Sequence, residues 1–451
     1  MVTSVSITGL GKLGSPLAAC FAAAGFRVHA VDVDAKKVEA INRGMPPVHE
    51  PGLAELIGKS EGRLSASQDA ERAVRESEAT FIVVGTPSEA DGGFSLRYVL
   101  PVCQSIGRAL RAKVGYHLVV LTSTVMPEST SGEVKTTLER ASGKMCGKDF
   151  GLCYSPEFIA LGSVIRDFYN PDFLLIGEAD QRSGDTLAEI YRRVCKNSAP
   201  IARMNLVSAE IAKLAVNTYV TTKISFANMI ARLCECLPGA DASSVTGALG
   251  LDSRIGPKYL KGAVSYGGPC FPRDNRAMAA LATRAGAFSE LAEVTDRLNR
   301  AQVKWIGDLT KRHYSGNGPI GILGLTYKPD TDVVEESFGL QLAGELASGN
   351  VSVVAYDPSA EESRVRAVNE KIQFVGSAQE CVEKSDVVVI ATPWAQFHQV
   401  PPQAWARHSP ARTVIDCWRA FAQLEGVNGV RYVRLGFGEE AKRAAETVSS
   451  D

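Results

Sequence analysis

The sequence predicts an α/β chain in which two α/β domains with parallel sheets are joined by a helical centre. Three observations predict it. The first ~120 residues alternate short β-branched runs with helix-period apolar patterns. A long helical pattern then occupies 207–236, and the strand-and-helix alternation restarts near residue 320. Strands separated by crossover helices pair in parallel, so each alternating region implies one parallel sheet.

Val5-Ser-Ile7, Val28–Val31, Thr80–Val84 and Leu118–Leu121 read as buried strands. The long helix runs from Val207 through Cys236 and stops at Pro238-Gly239, where proline and glycine end helical geometry. A further helical stretch covers about 275–312, and Ile320–Gly324, Val351–Tyr356, Asp386–Ile390 and Thr413–Asp416 read as the second set of strands. These divisions give expected domains of 1–200, 201–300 and 301–451, and 451 residues exceed the one core that a shorter chain would form. No short internal repeat is visible.

Hydrophobic residues are 45% and charged residues 22%, which excludes disordered, collagen-like and coiled-coil classes. With 49 Lys+Arg against 50 Asp+Glu, the chain lacks the basic excess of a nucleic-acid binder. Its 10 cysteines are scattered without paired C-x-x-C spacing, so reduced thiols, a cytoplasmic location and no structural metal are expected. The start Met1-Val-Thr-Ser has no basic, apolar leader pattern, and no long uncharged apolar run suggests a membrane span.

Gly9-Leu-Gly11-Lys12-Leu13-Gly14 follows the first strand and opens an apolar helix. In such a turn the first glycine makes the tight bend, the second lets main-chain N–H groups approach a pyrophosphate, and the third packs helix on strand. Asp32 ends the second strand, where a carboxylate accepts ribose hydroxyls and repels a 2′-phosphate, so NAD rather than NADP is expected.

Tyr266-Gly267-Gly-Pro-Cys270-Phe-Pro-Arg-Asp274 places a cysteine on a glycine-rich turn with an acid four residues on. A turn-borne cysteine near cations makes a thiolate nucleophile, whereas a cysteine without such context is a small core residue. Lys213 and Asn217 lie four apart on the long helix and share a face, and mostly apolar flanks suggest a half-buried ammonium rather than a solvated charge. Cysteine, lysine, asparagine, aspartate and NAD together point to oxidation through a sulfur adduct.

With these motifs the chain resembles the nucleotide-sugar 6-dehydrogenases over nearly its whole length. The resemblance also rests on Glu50-Pro-Gly-Leu53, Gly85-Thr86-Pro87, Ser123-Thr124-Val125, Pro156-Glu157-Phe158, Arg254-Ile-Gly256 and Gly324-Leu-Thr-Tyr327-Lys328-Pro-Asp-Thr-Asp332. It implies an N-terminal NAD-binding Rossmann domain, a central helical domain that supports a homodimer, and a C-terminal domain that binds the nucleotide sugar. It further implies two hydride transfers that take a C6 alcohol to a uronic acid, with UDP-glucose the default substrate. Cys270 would form a thiohemiacetal and then a thioester. Lys213 and Asn217 would stabilise the oxyanions, Asp274 and Thr124 would hold water or the proton acceptor, and Glu157 would be the base for hydrolysis.

The same resemblance assigns Gly9, Gly11, Lys12, Leu13, Gly14, Asp32, Lys37, Thr86 and Thr124 to the cofactor. It assigns Phe158, Ile159, Lys213, Arg254, Tyr266, Gly267, Tyr327 and Lys328 to the sugar nucleotide, with Arg254 reaching across the dimer. For Lys37 a solvated surface charge is an equal alternative, and Thr124 after a strand also suits a simple turn cap.

The pattern also breaks. Leu161 replaces the family's second acid after Pro156-Glu157-Phe158, Glu335 replaces an arginine ahead of Glu336-Ser337, and Thr392-Pro-Trp394 and Asp416-Cys-Trp-Arg419 are altered. The expected chemistry is therefore better supported than UDP-glucose itself. GDP-mannose, a UDP-N-acetylhexosamine or another nucleotide hexose are alternative substrates, and a non-catalytic sugar-nucleotide binder is an alternative of another class. A β-hydroxyacid dehydrogenase shares the start and the Lys/Asn pair, but lacks the cysteine turn and the second α/β domain.

Overall fold

Every residue of the first strand, Ser4–Thr8 (β1), is buried, in a computed structural model that describes residues 1–316, 318–349 and 351–438. Val5 and Ile7 pack into the core, while the alternate hydroxyls pair sideways. Ser6 Oγ meets Thr80 Oγ1 at 2.7 Å, Ser77 Oγ donates to Ser6 Oγ at 3.0 Å, and Thr80 Oγ1 lies 2.8 Å from His117 Nε2. A strand covered on both faces tolerates polar side chains only where they find such partners.

The chain divides into two units, Met1–Val216 with Ala277–Phe288 and Asn217–Arg276 with the chain from Ser289 onward. In the first unit, β1 is followed by Arg27–Val31 (β2), Leu64–Ser67 (β3), Ala79–Ile82 (β4), Leu118–Leu121 (β5), Gly151–Tyr154 (β6), Leu174–Glu178 (β7) and Ile201–Asn205 (β8). They form one sheet in the order β3-β2-β1-β4-β5-β6-β7-β8, parallel throughout except where β6 meets β7. The second unit holds Ile320–Leu323 (β9), Val353–Tyr356 (β10), Ile372–Phe374 (β11), Val387–Ile390 (β12), Arg412–Asp416 (β13) and Val430–Arg434 (β14). Their sheet is all-parallel in the order β11-β10-β9-β12-β13-β14. Six of these strands, β3, β6, β7, β8, β11 and β14, go beyond those the sequence pattern marked.

The two sheets share one plan, because β1 and β9 each lie between the second and fourth strands of their set. At that reversal of strand order an open α/β sheet binds its ligands. The correspondence extends to single residues. Gly9 and Gly324 follow the first strands with φ of 105° and 94°. A Cβ on Gly14 would overlap the Gly9 carbonyl, and one on Gly339 would overlap that of Gly324. Asp32 after β2 accepts from Leu10 N at 2.6 Å and Asp34 N at 2.9 Å. Asp357 after β10 likewise accepts from Leu325 N at 2.7 Å and Ser359 N at 2.8 Å. Asp357 also takes Thr326 N, Thr326 Oγ1 and Ala360 N at 2.9 Å and Trp394 Nε1 at 3.2 Å. The connections differ: residues 9–13 lead from β1 into the helix Gly14–Ala23, whereas residues 324–337 lead from β9 into Phe338–Ser348.

The long helix is Leu206–Glu235, started by Asn205, whose Oδ1 accepts from Ser208 N at 2.8 Å. The expected stretch 275–312 is two helices, Phe271–Arg284 and Glu290–Arg312. Gly286 between them takes φ of 65°, and Ala287 N returns to Ala282 O at 2.8 Å, a left-handed cap that ends the first helix.

Candidate active site

The first unit carries the glycine turn. Gly9 needs its positive φ, and a Cβ there would strike the Val83 carbonyl, while a Cβ on Gly11 would meet nothing within 4 Å. Gly11 therefore leaves an open approach to the main chain, beside the N-terminus of Gly14–Ala23, where N–H groups and the helix dipole favour an anion. Lys12 and Leu13 are part-exposed in this turn. Asp32 braces the turn through Leu10 N and pairs with Lys37 Nζ at 3.6 Å. Thr86 is buried and donates to the Thr124 carbonyl at 2.7 Å, and Ser123 Oγ donates to the Val84 carbonyl at 2.6 Å, so the segments after β4 and β5 hold each other.

The same unit places an acid beside an ammonium. Lys213, 7% exposed, donates to the Glu157 main-chain carbonyl at 2.7 Å and lies 4.6 Å over the Phe158 ring, which itself packs on Phe173. Burial pushes the Glu157 carboxyl up to about 7, against the opposing pulls of Lys213 and Tyr191. An acid balanced near neutrality suits proton transfer. Ile159 and Leu161 are part-exposed and pack against the core of this unit.

Two buried acids set this region, and the sequence reading gave neither a task. Glu50 accepts from Gly162 N at 2.9 Å and Val164 N at 2.7 Å, fixing the loop that begins at Glu157. Glu210, one turn before Lys213, accepts from Glu128 N at 2.7 Å, Thr130 N at 2.8 Å and Thr130 Oγ1 at 2.6 Å. The available signal was their place inside the quoted motifs, Glu50-Pro-Gly-Leu53 and Ala209-Glu210-Ile-Ala-Lys213.

In the second unit, Cys270 is exposed at the start of the helix Phe271–Arg284, and Asp274 N closes the first turn on the Cys270 carbonyl at 2.8 Å. Asn217 Nδ2 donates to Asp274 Oδ2 at 2.6 Å. Asp274 Oδ1 lies 3.6 Å from Arg273 Nε and accepts no hydrogen bond among the described residues. Asn275 Nδ2 reaches Thr221 Oγ1 at 2.8 Å and the Tyr266 hydroxyl at 3.0 Å. Asn299 clamps the Tyr266 main chain from both sides, accepting from its N at 2.7 Å and donating to its O at 2.9 Å. The Tyr266 ring is thus buried under the turn with Gly268, while Gly267 and Pro269 are part-exposed and Cys270 is exposed. Lys328 Nζ lies 5.9 Å over the Tyr327 ring, and Arg254 is exposed and pairs with Asp252 at 2.6 Å.

Sequence models of one family match residues 3–195 as its NAD binding domain, 207–301 as its central domain and 321–423 as its UDP binding domain. The chain belongs to the UDP-glucose/GDP-mannose dehydrogenase family. It is 35% identical over 428 residues to a UDP-glucose 6-dehydrogenase of Haloferax volcanii, covering 94% of this chain and 98% of that one. It is 36% identical over 400 residues to a GDP-mannose 6-dehydrogenase of Pseudomonas aeruginosa, covering 86% and 90%. A solved UDP-glucose dehydrogenase of Pyrobaculum islandicum superposes with a TM-score of 0.88 at 34% identity, covering 97% of this chain and 98% of that one. As a member of the UDP-glucose/GDP-mannose dehydrogenase family, this chain is an NAD-dependent nucleotide-sugar 6-dehydrogenase. The open main chain at Gly11 and the acid after β2 fit NAD. Among the described residues no helix is long and apolar enough to cross a membrane.

Proposed function

We propose that the chain converts UDP-glucose to UDP-glucuronate, and that Cys270 carries the half-oxidised sugar as a covalent adduct. When bound, NAD supplies the hydride acceptor for each oxidation, held by Gly9–Gly14, Asp32, Lys37, Thr86 and Thr124. The thiolate of Cys270 adds to the C6 aldehyde: the sulfur–carbon bond forms, and the carbonyl π pair moves to oxygen and takes a proton. The adduct carbon again bears a hydrogen and an oxygen, so a second hydride can leave to the NAD while the hydroxyl proton passes to water, and a thioester results. Water then adds, Glu157 accepts its proton, and the carbon–sulfur bond breaks with its electron pair returning to sulfur. Lys213 and Asn217 oppose the negative charge on oxygen at each stage, and Phe158, Ile159, Arg254, Gly267, Tyr327 and Lys328 hold the nucleotide sugar.

The observation that carries this reading is the place of Cys270, exposed at the first turn of an α-helix, where the positive end of the helix dipole favours a thiolate. The test is NADH formation over a panel of UDP-glucose, GDP-mannose and UDP-N-acetylhexosamines. Two NADH per UDP-glucose are expected; one NADH, with free aldehyde as the end product, would overturn the mechanism. Leu161 favours a second reading, a different nucleotide sugar, because an apolar side chain stands where a sugar hydroxyl would have met an acid.

The helix Leu206–Glu235 exposes Tyr219, Phe226, Met229 and Leu233, spaced along one stripe. Such a stripe supports a homodimer, since water is a poor cover for large apolar groups on one helix face. Phe226→Glu is expected to shift sedimentation toward a monomer; a wild-type chain sedimenting as a fully active monomer would overturn this. On the same reading residues 1–200 carry the cofactor, 201–300 the dimer contact and 301–451 the nucleotide, in the cytoplasm.

A further inference from the structure

The 324–337 connection is anchored at both ends. At its base Leu325 and Thr326 are bound by Asp357, and the Thr326 carbonyl accepts from Thr392 Oγ1 at 2.6 Å. Its far limb doubles back beneath the cysteine turn. Gly268 N donates to the Glu335 carbonyl at 3.0 Å, and a Cβ on Gly267 would overlap the Glu336 carbonyl. A Cβ on Gly268 would come 2.8 Å from the Tyr327 ring near the base, so the two glycines of the turn are required by the two limbs of this connection.

Glu336 holds the limb in place from two directions. Its φ is 50°, a left-handed conformation unfavourable for a side chain with a Cβ, and so one that its surroundings impose. Its Oε1 meets Arg276 Nη1 at 3.3 Å and Nη2 at 3.4 Å, and its Oε2 accepts from Gln341 Nε2 at 3.1 Å. Arg276 stands on the cysteine helix Phe271–Arg284, and Gln341 on the helix Phe338–Ser348 that the connection enters. The Glu335 carbonyl therefore holds the turn before Cys270, the Glu336 carbonyl packs closely under that turn, and the Glu336 carboxylate holds the helix after Cys270.

We propose that Glu336 is a positioning residue for Cys270, setting the thiol's reach toward the aldehyde through the Gly267–Gly268 turn and Arg276. The inference rests on the reading of Cys270 as the nucleophile. A displaced thiol captures the aldehyde late without weakening the first oxidation. Glu336→Ala, which loses the carboxylate contacts that help impose the left-handed conformation, is expected to slow the second oxidation by about tenfold or more. Glu336→Gly keeps the main-chain conformation, and Glu336→Gln keeps an acceptor for Arg276, so both are expected to retain more of it.

The experiment measures, on the full chain, single-turnover NADH from UDP-glucose, aldehyde trapped by hydroxylamine, and the iodoacetamide alkylation rate of Cys270 read by mass spectrometry. In Glu336→Ala the first NADH should form at a rate within about twofold of wild type, trapped aldehyde should rise and the alkylation rate should change. Wild-type aldehyde partition and Cys270 alkylation in Glu336→Ala would overturn the inference, whatever its melting temperature. Were Glu336→Ala not to fold, Arg276→Ala and Glu336→Gln carry the same readouts, and wild-type values in both would overturn it. If Cys270→Ser keeps complete four-electron oxidation, the nucleophile reading falls and this inference with it. If Cys270→Ser stops the second oxidation while the Glu336 variants match wild type, only this inference falls.

Discussion

Asn217 Nδ2 donates to Asp274 Oδ2 across 2.6 Å, and both side chains are buried. The bond ties the long helix to the first turn of the cysteine helix. Asp274→Ala would strand the Asn217 amide, which costs about 1–3 kcal/mol. Asp274→Asn nearly preserves volume and removes the charge, so it separates packing from chemistry. We expect kcat to fall roughly 100-fold in Asp274→Asn with a small change in melting temperature. A wild-type kcat in that variant would leave the carboxylate a purely structural task.

Asp32 braces Leu10 N at 2.6 Å, and on the proposed reading its carboxylate receives the adenosine ribose. The wild-type chain should therefore prefer NAD to NADP by roughly two orders of magnitude in kcat/KM, because a 2′-phosphate would meet a carboxylate. Asp32→Asn keeps an oxygen for Leu10 N while discharging the site, and should narrow that gap mainly by improving NADP. Equal kcat/KM for the two cofactors in the wild type would contradict this.

Glu157 makes two pH predictions of opposite sense. Its carboxyl is raised from an ordinary 4.5 to about 7, chiefly by burial. Below pH 4.5 the group is protonated whether the chain is folded or unfolded. Between 4.5 and about 7 the unfolded chain gives up its proton first, so stability from this group declines as pH rises and the loss is complete above about 7. Glu157→Gln should therefore gain melting temperature relative to wild type on going from pH 5 to pH 8. Thioester hydrolysis should instead rise through about pH 7 as the base ionises, and that limb should vanish in Glu157→Gln. An unchanged limb in Glu157→Gln would show that another group accepts the proton.

Leu161 packs against the core of the first unit, next to Gly162, whose N–H is held by Glu50. An unmatched sugar hydroxyl against leucine costs roughly 1–3 kcal/mol. Leu161→Glu should improve UDP-glucose turnover if a contact alone is missing, at some loss of stability from the exchanged packing. No gain, together with fast turnover of another nucleotide sugar by the wild-type chain, would favour the different substrate.

What could be read from the sequence was what adjacent residues decide among themselves. Gly9, Gly11, Gly14 and Asp32 announce their turn because its backbone demands are local, and Lys213 and Asn217 share a face by helical spacing alone. Glu50 and Glu210 were opaque because their partners, Gly162 and Thr130, lie 112 and 80 residues away in the chain. The short strands β6, β7 and β8 were opaque too. Runs such as Gly151–Tyr154 have no length for a period to show, and sheet neighbours select their conformation. The correspondence of Asp32 with Asp357 is invisible in the sequence for a similar reason, since it is a likeness of hydrogen bonds and not of letters.

That likeness ends where Asp357 turns inward. Its carboxylate is taken up by the main chain of Leu325, Thr326, Ser359 and Ala360, the Thr326 hydroxyl and Trp394, so the second sheet repeats the scaffold with this acid already engaged. On the proposed mechanism two oxidations would take turns at the first sheet's cofactor seat, which would have to be vacated and refilled in mid-cycle. During that interval a free aldehyde would be at liberty to diffuse away. A sugar moored to Cys270, as proposed, would stay until the replacement arrives, so the sulfur bond would act as a timekeeper as much as a nucleophile.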